Sequence, residues 1–348
     1  MYGIRPLCTL LLVACTVSAT AAPASYALQQ RIAIGGTGGW DYLTLDPDAR
    51  RLYIARADRV QVLDVDKGTV TAEIRPAEGV HGVALAPKLN RGYTSNGRDN
   101  SVTVFDLSTL KTIQVVKIPA QNPDAILYVP EAGRVLTFNG HSKDVSAIDA
   151  STLAVVGHLT LGSKPEFAQG DGMGRVFVNL EDEAGAIAVL DAKTLSLIAT
   201  WPMAGCQEPS GLAIDRAHHR LFSTCDNGVM AVTDSTNGRA VARVPIGKGP
   251  DAAGIDPELG LIFSSNGEGT LTVVHQDDPD HYTVAQTVTT EPSARTHAVD
   301  TKTHKIWLVS AKFGPRPAPT PAEPRPRPPM VPDTFTVLVV GPGSGPAP

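Results

Sequence analysis

Short apolar runs alternate with turn-forming residues through most of the chain. The clearest stretch is HGVALAPKLNRGYTSNGRDNSVTVFD, which spans the 26 residues from His81 to Asp106. Its apolar runs are separated by Pro-Lys-Leu-Asn and Asn-Gly-Arg-Asp-Asn, which favour tight antiparallel turns. The pattern therefore predicts three short β-strands in this stretch.

The same stretch recurs with variations along the chain. Each copy carries a large apolar residue in its second strand, and most copies end the third strand with Val or Ile, any residue and Asp, as at Asp106. The copies begin, 40 to 44 residues apart, at Asp41, His81, Asp124, Glu166, Ser210, Asp251 and Arg295. This period, with about four strands per copy, is typical of a β-propeller blade. We therefore predict an all-β fold, a seven-bladed β-propeller.

The two ends of the chain are expected to complete the last blade together. The last copy supplies three strands, so the isolated strand Leu28–Ile34 is predicted to be the fourth and to close the ring without an open sheet edge. The propeller is thus predicted to span residues 28–340. The proline-rich stretch 313–332 cannot join a sheet and is predicted to be an insertion in the last blade, either solvated or a docking arm. Residues 341–348 are predicted to be a disordered tail.

The first residues have the pattern of an export signal. Arg5 precedes an apolar run that ends in small residues, which predicts a secretory signal peptide over residues 1–21. Lipid attachment at Cys15 is the alternative. No later apolar run reaches about 18 residues, so no membrane-spanning segment is predicted. We expect the mature protein in the periplasm or secreted, or else anchored as a lipoprotein.

Two cysteines, Cys206 and Cys225, lie beyond the signal. Cys206 falls in the loop that enters the fifth blade, and Cys225 ends the second strand of that blade. Antiparallel pairing brings both to the same end of the blade. In an oxidising compartment this placement predicts a disulfide.

The charge of the chain argues against nucleic-acid binding. The formal net charge is −5, and aromatic residues make up 5% of the sequence. Proteins that bind single strands need basic grooves and stacked aromatic rings. Nucleic acid is therefore the least expected partner.

The repeat also carries a family resemblance. Its motifs RLY, TSNG, VFDLSTLK and ARTHAVDTKTHKIWL resemble those of the YVTN-repeat, YncE-like family of exported seven-bladed propellers, from about Leu28 to Val340. The resemblance implies the propeller fold. The family is functionally diverse: some members are described as DNA-binding, and related propellers include lactonases and a streptogramin lyase. Its repeat motif is structural, so the resemblance transfers no catalytic residue.

Candidate site residues follow from where equivalent positions of the copies meet. The first strand of a blade is innermost, so the residues that open these strands should ring one mouth of the central channel. The predicted ligand-binding ring is Asp41, His81, Asp124, Glu166, Ser210, Asp251 and Arg295. A second layer is predicted where the second strands end, at Arg56, Asn96, Asn139, Asn266 and Ser310, with His141 and His297 nearby. The asparagines are expected to orient polar groups of a ligand.

Three interpretations of the ring stay open at this point. In the first, its side chains are merely solvated, with Arg295 paired to neighbouring carboxylates. In the second they bind a ligand, and in the third they form an active site. Asp124 and Glu166 would suit a divalent cation, the one cofactor considered, and His81 could act as a general base.

The leading prediction is a monomeric scaffold that binds an unidentified small ligand or envelope protein through the mouth. A cation-dependent hydrolase, lactonase or lyase is the alternative, and enzymatic activity stays undecided.

Overall fold

The computed structural model describes residues 25–320 and 326–343. These residues form 28 β-strands in seven four-stranded antiparallel sheets, with a single 3-10 turn at Pro87–Leu89 as their helical part. The inner strands of successive sheets contact one another, and the first contacts the seventh, which closes the ring. The predicted seven-bladed β-propeller is confirmed. The predicted signal peptide and Cys15 lie outside the described residues.

Each of the first six blades uses four consecutive strands, from the innermost to the outermost. The first three blades are β2 (Leu43–Asp46), β3 (Arg51–Arg56), β4 (Arg59–Asp64), β5 (Thr69–Ile74); β6 (Val80–Ala86), β7 (Arg91–Asn96), β8 (Ser101–Asp106), β9 (Thr112–Lys117); and β10 (Pro123–Val129), β11 (Arg134–Asn139), β12 (Asp144–Asp149), β13 (Val155–Thr160). The next three are β14 (Pro165–Gly170), β15 (Arg175–Leu180), β16 (Ala186–Asp191), β17 (Ser196–Pro202); β18 (Pro209–Asp215), β19 (Arg220–Cys225), β20 (Val229–Asp234), β21 (Ala240–Pro245); and β22 (Pro250–Asp256), β23 (Leu261–Asn266), β24 (Thr270–Asp278), β25 (His281–Thr289).

The seventh blade joins the two ends of the chain, as predicted. Its strands run from the inside as β26 (His297–Asp300), β27 (Lys305–Ser310), β28 (Thr336–Pro342) and β1 (Tyr26–Ala33). The strand β1 therefore begins two residues before the predicted Leu28. Likewise β28 continues two residues past Val340, because Gly341 and Pro342 pair with β1. These two residues, assigned to the tail by the sequence, belong to the sheet.

The proline-rich insertion leaves the seventh blade between β27 and β28. Phe313 and Met330 form an isolated antiparallel bridge, and the backbone amide of Gly314 donates to the carbonyl of Pro329 at 2.8 Å. The two arms of the insertion thus pair with each other at its base. Because second strands end at the mouth, the insertion emerges on the mouth side, where Phe313 packs on Trp40 with ring centroids 5.8 Å apart.

The Asp that ends the third strand in most copies has a local structural role. In the second blade, one carboxylate oxygen of Asp106 accepts hydrogen bonds from the backbone amides of Ser108 at 2.9 Å and Thr109 at 2.7 Å. Asp149 repeats this with the amides of Ser151 and Thr152. Such carboxylate-capped turns fix the hairpin between the third and fourth strands.

The core lies between neighbouring blades rather than in one central mass. The large apolar residues predicted at the centre of each second strand are buried: Tyr53, Tyr93, Leu136, Phe177, Phe222, Phe263 and Trp307. Pairs such as Tyr53 and Phe105, with centroids 5.8 Å apart, join the face of one blade to that of the next. Burying both faces of every sheet holds the inner strands in a fixed ring.

Among the described residues, no helix is long and apolar enough to cross a membrane.

Candidate functional site at the channel mouth

Three members of the predicted ring form a close cluster. Nδ1 of His81 lies 2.6 Å from a carboxylate oxygen of Asp41 and 3.5 Å from one of Asp124. The three residues open or immediately precede the inner strands of the first three blades, so the ring of blades brings them together. One potential ligand atom from each lies within 4.8 Å of the others.

The fourth blade adds a buried carboxylate with two partners. Glu166 accepts a hydrogen bond from the phenol of Tyr42 at 3.2 Å, and Nζ of Lys164 lies 3.0 Å from its other oxygen. Lys164 also pairs with Glu181. Glu166 is therefore held by a tyrosine from the first blade and by a lysine just before its own strand.

Tyr42 reaches from the first blade to the fourth. Its ring packs edge-on against Phe167 of the fourth blade, with centroids 5.0 Å apart, and it is 6% exposed. Gly82 in β6 lies beside the same ring, since a Cβ there would be 3.6 Å from Tyr42. We call the part of the mouth next to this ring, which is lined by Asp41, His81, Asp124 and Glu166, the cup.

The remaining ring residues differ in role. Nη1 of Arg295 lies 3.1 Å from a carboxylate oxygen of Asp251, which is the ion pair expected from their adjacent blades. The hydroxyl of Ser210 instead donates to the carbonyl of Pro250 at 3.0 Å and is 6% exposed. Ser210 thus joins two blades and offers little to a ligand.

A groove of about 380 Å³ opens from the mouth over the last four blades. Its charged lining includes Asp251 and Arg295 together with three carboxylates from loops, Glu181, Glu208 and Asp226. The groove extends the acidic character of the cup beyond the predicted ring.

The crowded carboxylates perturb one another. Burial raises the pKa of Asp124 to about 7, against the opposing charge of His81 and with a further contribution from Asp41. Burial likewise raises the pKa of Asp251 to about 7, although Arg295 opposes it. Positive charge in the cup is therefore insufficient to keep these carboxylates fully ionised at neutral pH.

The pKa of His81 is shifted in the direction opposite to the one that burial alone would produce. Burial alone would lower its pKa, but the hydrogen bond to Asp41 and the negative charges of Asp124 and Asp41 outweigh it and raise the pKa to about 9. At pH 7 the imidazole is thus a cation. A protonated His81 cannot act as the general base that the sequence suggested, unless a ligand displaces its proton.

The second layer does not serve the mouth as predicted. Asn96 is 1% exposed, and its amide donates to the hydroxyls of Ser101 at 3.0 Å and Thr103 at 2.9 Å. Asn139 and Asn266, both fully buried, bind the opening residues of their own third strands in the same way. The three asparagines brace strand pairs inside their blades, and their side chains do not line the surface of the mouth.

Three of the other second-layer residues also contact neighbouring groups, and the fourth is exposed. The guanidinium of Arg56 stacks 3.6 Å from the Phe335 ring centroid. The hydroxyl of Ser310 donates to the carbonyl of Pro292 at 2.8 Å. His141 is exposed in a loop. His297 is buried lower in the channel wall, where its Nδ1 lies 2.8 Å from the hydroxyl of Ser265.

The structure regroups the residues proposed to hold a cation. Asp124 clusters with Asp41 and His81, whereas Glu166 is occupied by Tyr42 and Lys164. The sequence missed Tyr42, although it directly follows Asp41. It also missed Lys164, two residues before Glu166, and the loop carboxylates of the groove, because only the starts of the inner strands and the ends of the second strands were compared.

The predicted disulfide is confirmed. Cys206 and Cys225 are bonded, with Cα atoms 5.3 Å apart. The bond ties the loop that carries Glu208 to the end of β19, on the mouth side of the fifth blade.

Comparison with known proteins supports the fold alone. No family model and no curated protein sequence matches the chain. A solved structure of Kuenenia stuttgartiensis hydrazine synthase is similar over 84% of this chain and 95% of that chain, with a TM-score of 0.70 and 14% identity. At this identity the likeness concerns architecture. By its structure, the chain belongs among the seven-bladed β-propellers.

Proposed function

We propose that this chain is an exported binding protein that takes up a small cationic ligand in the acidic mouth of its propeller. The observation that carries the proposal is the state of Asp124 and Asp251. The two side chains are only 10% and 12% exposed, and burial raises the pKa of each to about 7. A bound cation would relieve this cost, and that relief is a source of binding free energy.

The charges around the mouth favour a cation over an anion. The carboxylates of the cup and groove are Asp41, Asp124, Glu166, Glu181, Glu208, Asp226 and Asp251. The basic groups among them are Lys164, Arg295 and His81. Excess negative charge attracts cationic ligands and repels nucleic-acid phosphates.

Two further features agree with an exported scaffold of the YncE-like kind. The Cys206–Cys225 bond suits an oxidising compartment. Tyr42 and Phe167 pack against each other beside the carboxylates of the cup, which suits a largely pre-formed binding pocket.

Thermal melts with a polyamine test the proposal. Spermidine should stabilise the wild type by about 2.7 kcal/mol at a hundredfold excess over its dissociation constant. The double variant Asp124→Asn/Asp251→Asn should lose this response. Asp48→Asn is the matched control, because Asp48 is 89% exposed at the opposite end of the first blade. Equal stabilisation of all three proteins would reject the mouth as the binding site.

A cation-dependent hydrolase is the second candidate. The observation in its favour is the mixed cluster of one imidazole and two carboxylates beside an open groove of about 380 Å³. A metal ion with an open position can activate water. The test is hydrolysis of a chromogenic lactone or ester. Turnover that needs added Zn²⁺ and is lost in Asp124→Asn would support this function. Turnover with Zn²⁺ no faster than in buffer would exclude it for that substrate class.

A further inference from the structure

We propose that Asp41, His81 and Asp124 form a binding site for a divalent first-row transition ion, with Zn²⁺ as the representative. The inference rests on the proposed function and deepens it, because it names the class of cation and the three residues that would hold it. One nitrogen and two carboxylate groups are ligands that Zn²⁺ accepts, and a three-residue set leaves a coordination position open.

The ligand atoms converge because the fold places them. Each residue comes from a different blade, and the three blades are neighbours in the ring. The positions are therefore fixed by the packing of whole sheets rather than by one flexible loop. Rigid placement reduces the ordering cost of binding an ion.

Asp124 supplies an independent sign of a missing partner. Its side chain is 10% exposed, yet within the part of the chain that the structure describes its carboxylate accepts no hydrogen bond. Its nearest basic group is Nδ1 of His81, at 3.5 Å. A buried carboxylate normally has strong partners. Asp251 and Glu166 form shorter ion pairs, with Arg295 at 3.1 Å and with Lys164 at 3.0 Å, so Asp124 has the longest ion pair of the three.

The imidazole of His81 is oriented for ligation through Nδ1. On its other side, Nε2 packs against Gly97, where a Cβ would lie 2.6 Å from it. The same Cβ would lie 2.5 Å from the amide oxygen of Asn122. The Nε2 edge thus faces the wall of the mouth, and Nδ1 faces the two carboxylates.

The distances fit a metal that replaces a proton. Two ligands each about 2.1 Å from a tetrahedral Zn²⁺ stand about 3.4 Å apart, close to the 3.5 Å between Nδ1 and Asp124. The 2.6 Å contact between Nδ1 and Asp41 is a direct hydrogen bond, which the ion would open. Ca²⁺ fits less well, because it takes six to eight oxygen ligands.

Calorimetry on chelator-treated mature protein at pH 7.5 tests the site. Zn²⁺ should bind with one ion per chain, and Mn²⁺ and Ca²⁺ more weakly. Asp124→Asn should weaken Zn²⁺ binding about a hundredfold, and His81→Gln similarly. Asp48→Asn is the control, because Asp48 is 89% exposed at the opposite end of the first blade and its substitution leaves the mouth intact; its affinity should stay within about threefold of the wild type.

A spectroscopic measurement guards against a misfolded variant. Co²⁺ bound by the wild type should give visible absorption bands whose position shifts in His81→Gln, where a nitrogen ligand is lost. Unchanged Zn²⁺ affinity in Asp124→Asn would overturn the inference. So would Co²⁺ absorption bands at the same position in wild type and His81→Gln. If spermidine binds and Zn²⁺ does not, the metal site is wrong and the cationic mouth stands. If neither binds, both proposals fail.

Discussion

Two parts of the channel place a histidine in opposite environments. At the mouth, His81 lies among carboxylates, which raise its pKa to about 9. Farther along the channel, His297 borders a cavity of about 240 Å³. The described residues that line it include Ile214, Ile255 and Val299 and no titratable side chain besides His297 itself. Burial there lowers its pKa to about 3, so the imidazole stays neutral.

The contrast shows that the position of a histidine along its inner strand decides whether its side chain is charged. His81 is the second residue of β6 and faces the mouth, whereas His297 lies two residues beyond the mouth residue Arg295. The hydroxyl of Ser265 donates to the carbonyl of Arg295, so it can accept a hydrogen bond from Nδ1 of His297. One part can therefore attract cations, while the other holds its histidine as an uncharged bridge between blades.

The largest expected effect concerns the disulfide, which braces only the mouth end. Replacing Cys206 and Cys225 with alanine should lower the free energy of unfolding by about 2 to 4 kcal/mol. Urea denaturation measures it. Amide exchange should quicken around Glu208 and stay unchanged at Ile255 in the lower channel. Equal loss of protection at both places would show that the bond does not act locally.

The two histidines should give opposite dependences of stability on pH. The pKa of His297 is depressed when folded, so its contribution is present above about 6.5 and is lost as pH falls toward 3, by about 1.4 kcal/mol per unit. The pKa of His81 is raised when folded, so its contribution is present below about 6.5 and is lost as pH rises toward 9.

Melts of wild type, His297→Gln and His81→Gln from pH 4 to 9.5 separate these contributions. As pH falls, the wild type should lose stability relative to His297→Gln. As pH rises, the wild type should lose stability relative to His81→Gln. If the two variants showed the same dependence of stability on pH, the two histidines would not lie in opposite environments.

Two glycines next to these histidines provide a matched pair. In Gly254→Ala, the new Cβ would lie 2.5 Å from a methyl of Val299 and 2.6 Å from Nε2 of His297, whose residue is only 7% exposed. We expect a loss of about 1 to 3 kcal/mol. Gly97→Ala meets His81 at 2.6 Å, but that side chain is 26% exposed and has room to move. Its cost should be smaller, and calorimetric melts that rank the two in reverse would contradict this.

The smallest expected effect is a gain at the mouth. The folded-state pKa of Asp124 is raised, so its ionisation costs stability that grows as pH rises from about 4 to 7. With chelator present, Asp124→Asn should raise stability by about 1 kcal/mol at pH 8 and leave it unchanged at pH 4. A uniform loss at both values would mean that Asp124 has a partner in the folded protein.

Repeat period alone predicted the blades and most of the ring, because equivalent positions in equivalent blades must lie at the same radius. It could not predict Tyr42, whose importance depends on reaching across to Glu166 in another blade. The repeat period also could not predict the loop residues of the groove, because loops vary more between copies than strands do.

The asparagines failed for a different reason. Asn96 ends its strand near the mouth, but its amide is satisfied within the sheet by Ser101 and Thr103. Asn139 has a corresponding Asp144 and Ser146 at the same spacing. Those recurring polar partners, five and seven residues later, were visible in the sequence and indicate a brace inside the blade.

The contact between Tyr42 and Phe167 has a mechanical consequence. Tyr42 belongs to the first blade and Phe167 to the fourth, so their rings link two blades that are not neighbours in the ring of sheets. The hydrogen bond from the phenol of Tyr42 to Glu166 adds a second link between the same two blades. The first and fourth blades therefore cannot move apart at the mouth without breaking both contacts, which favours a mouth of constant width.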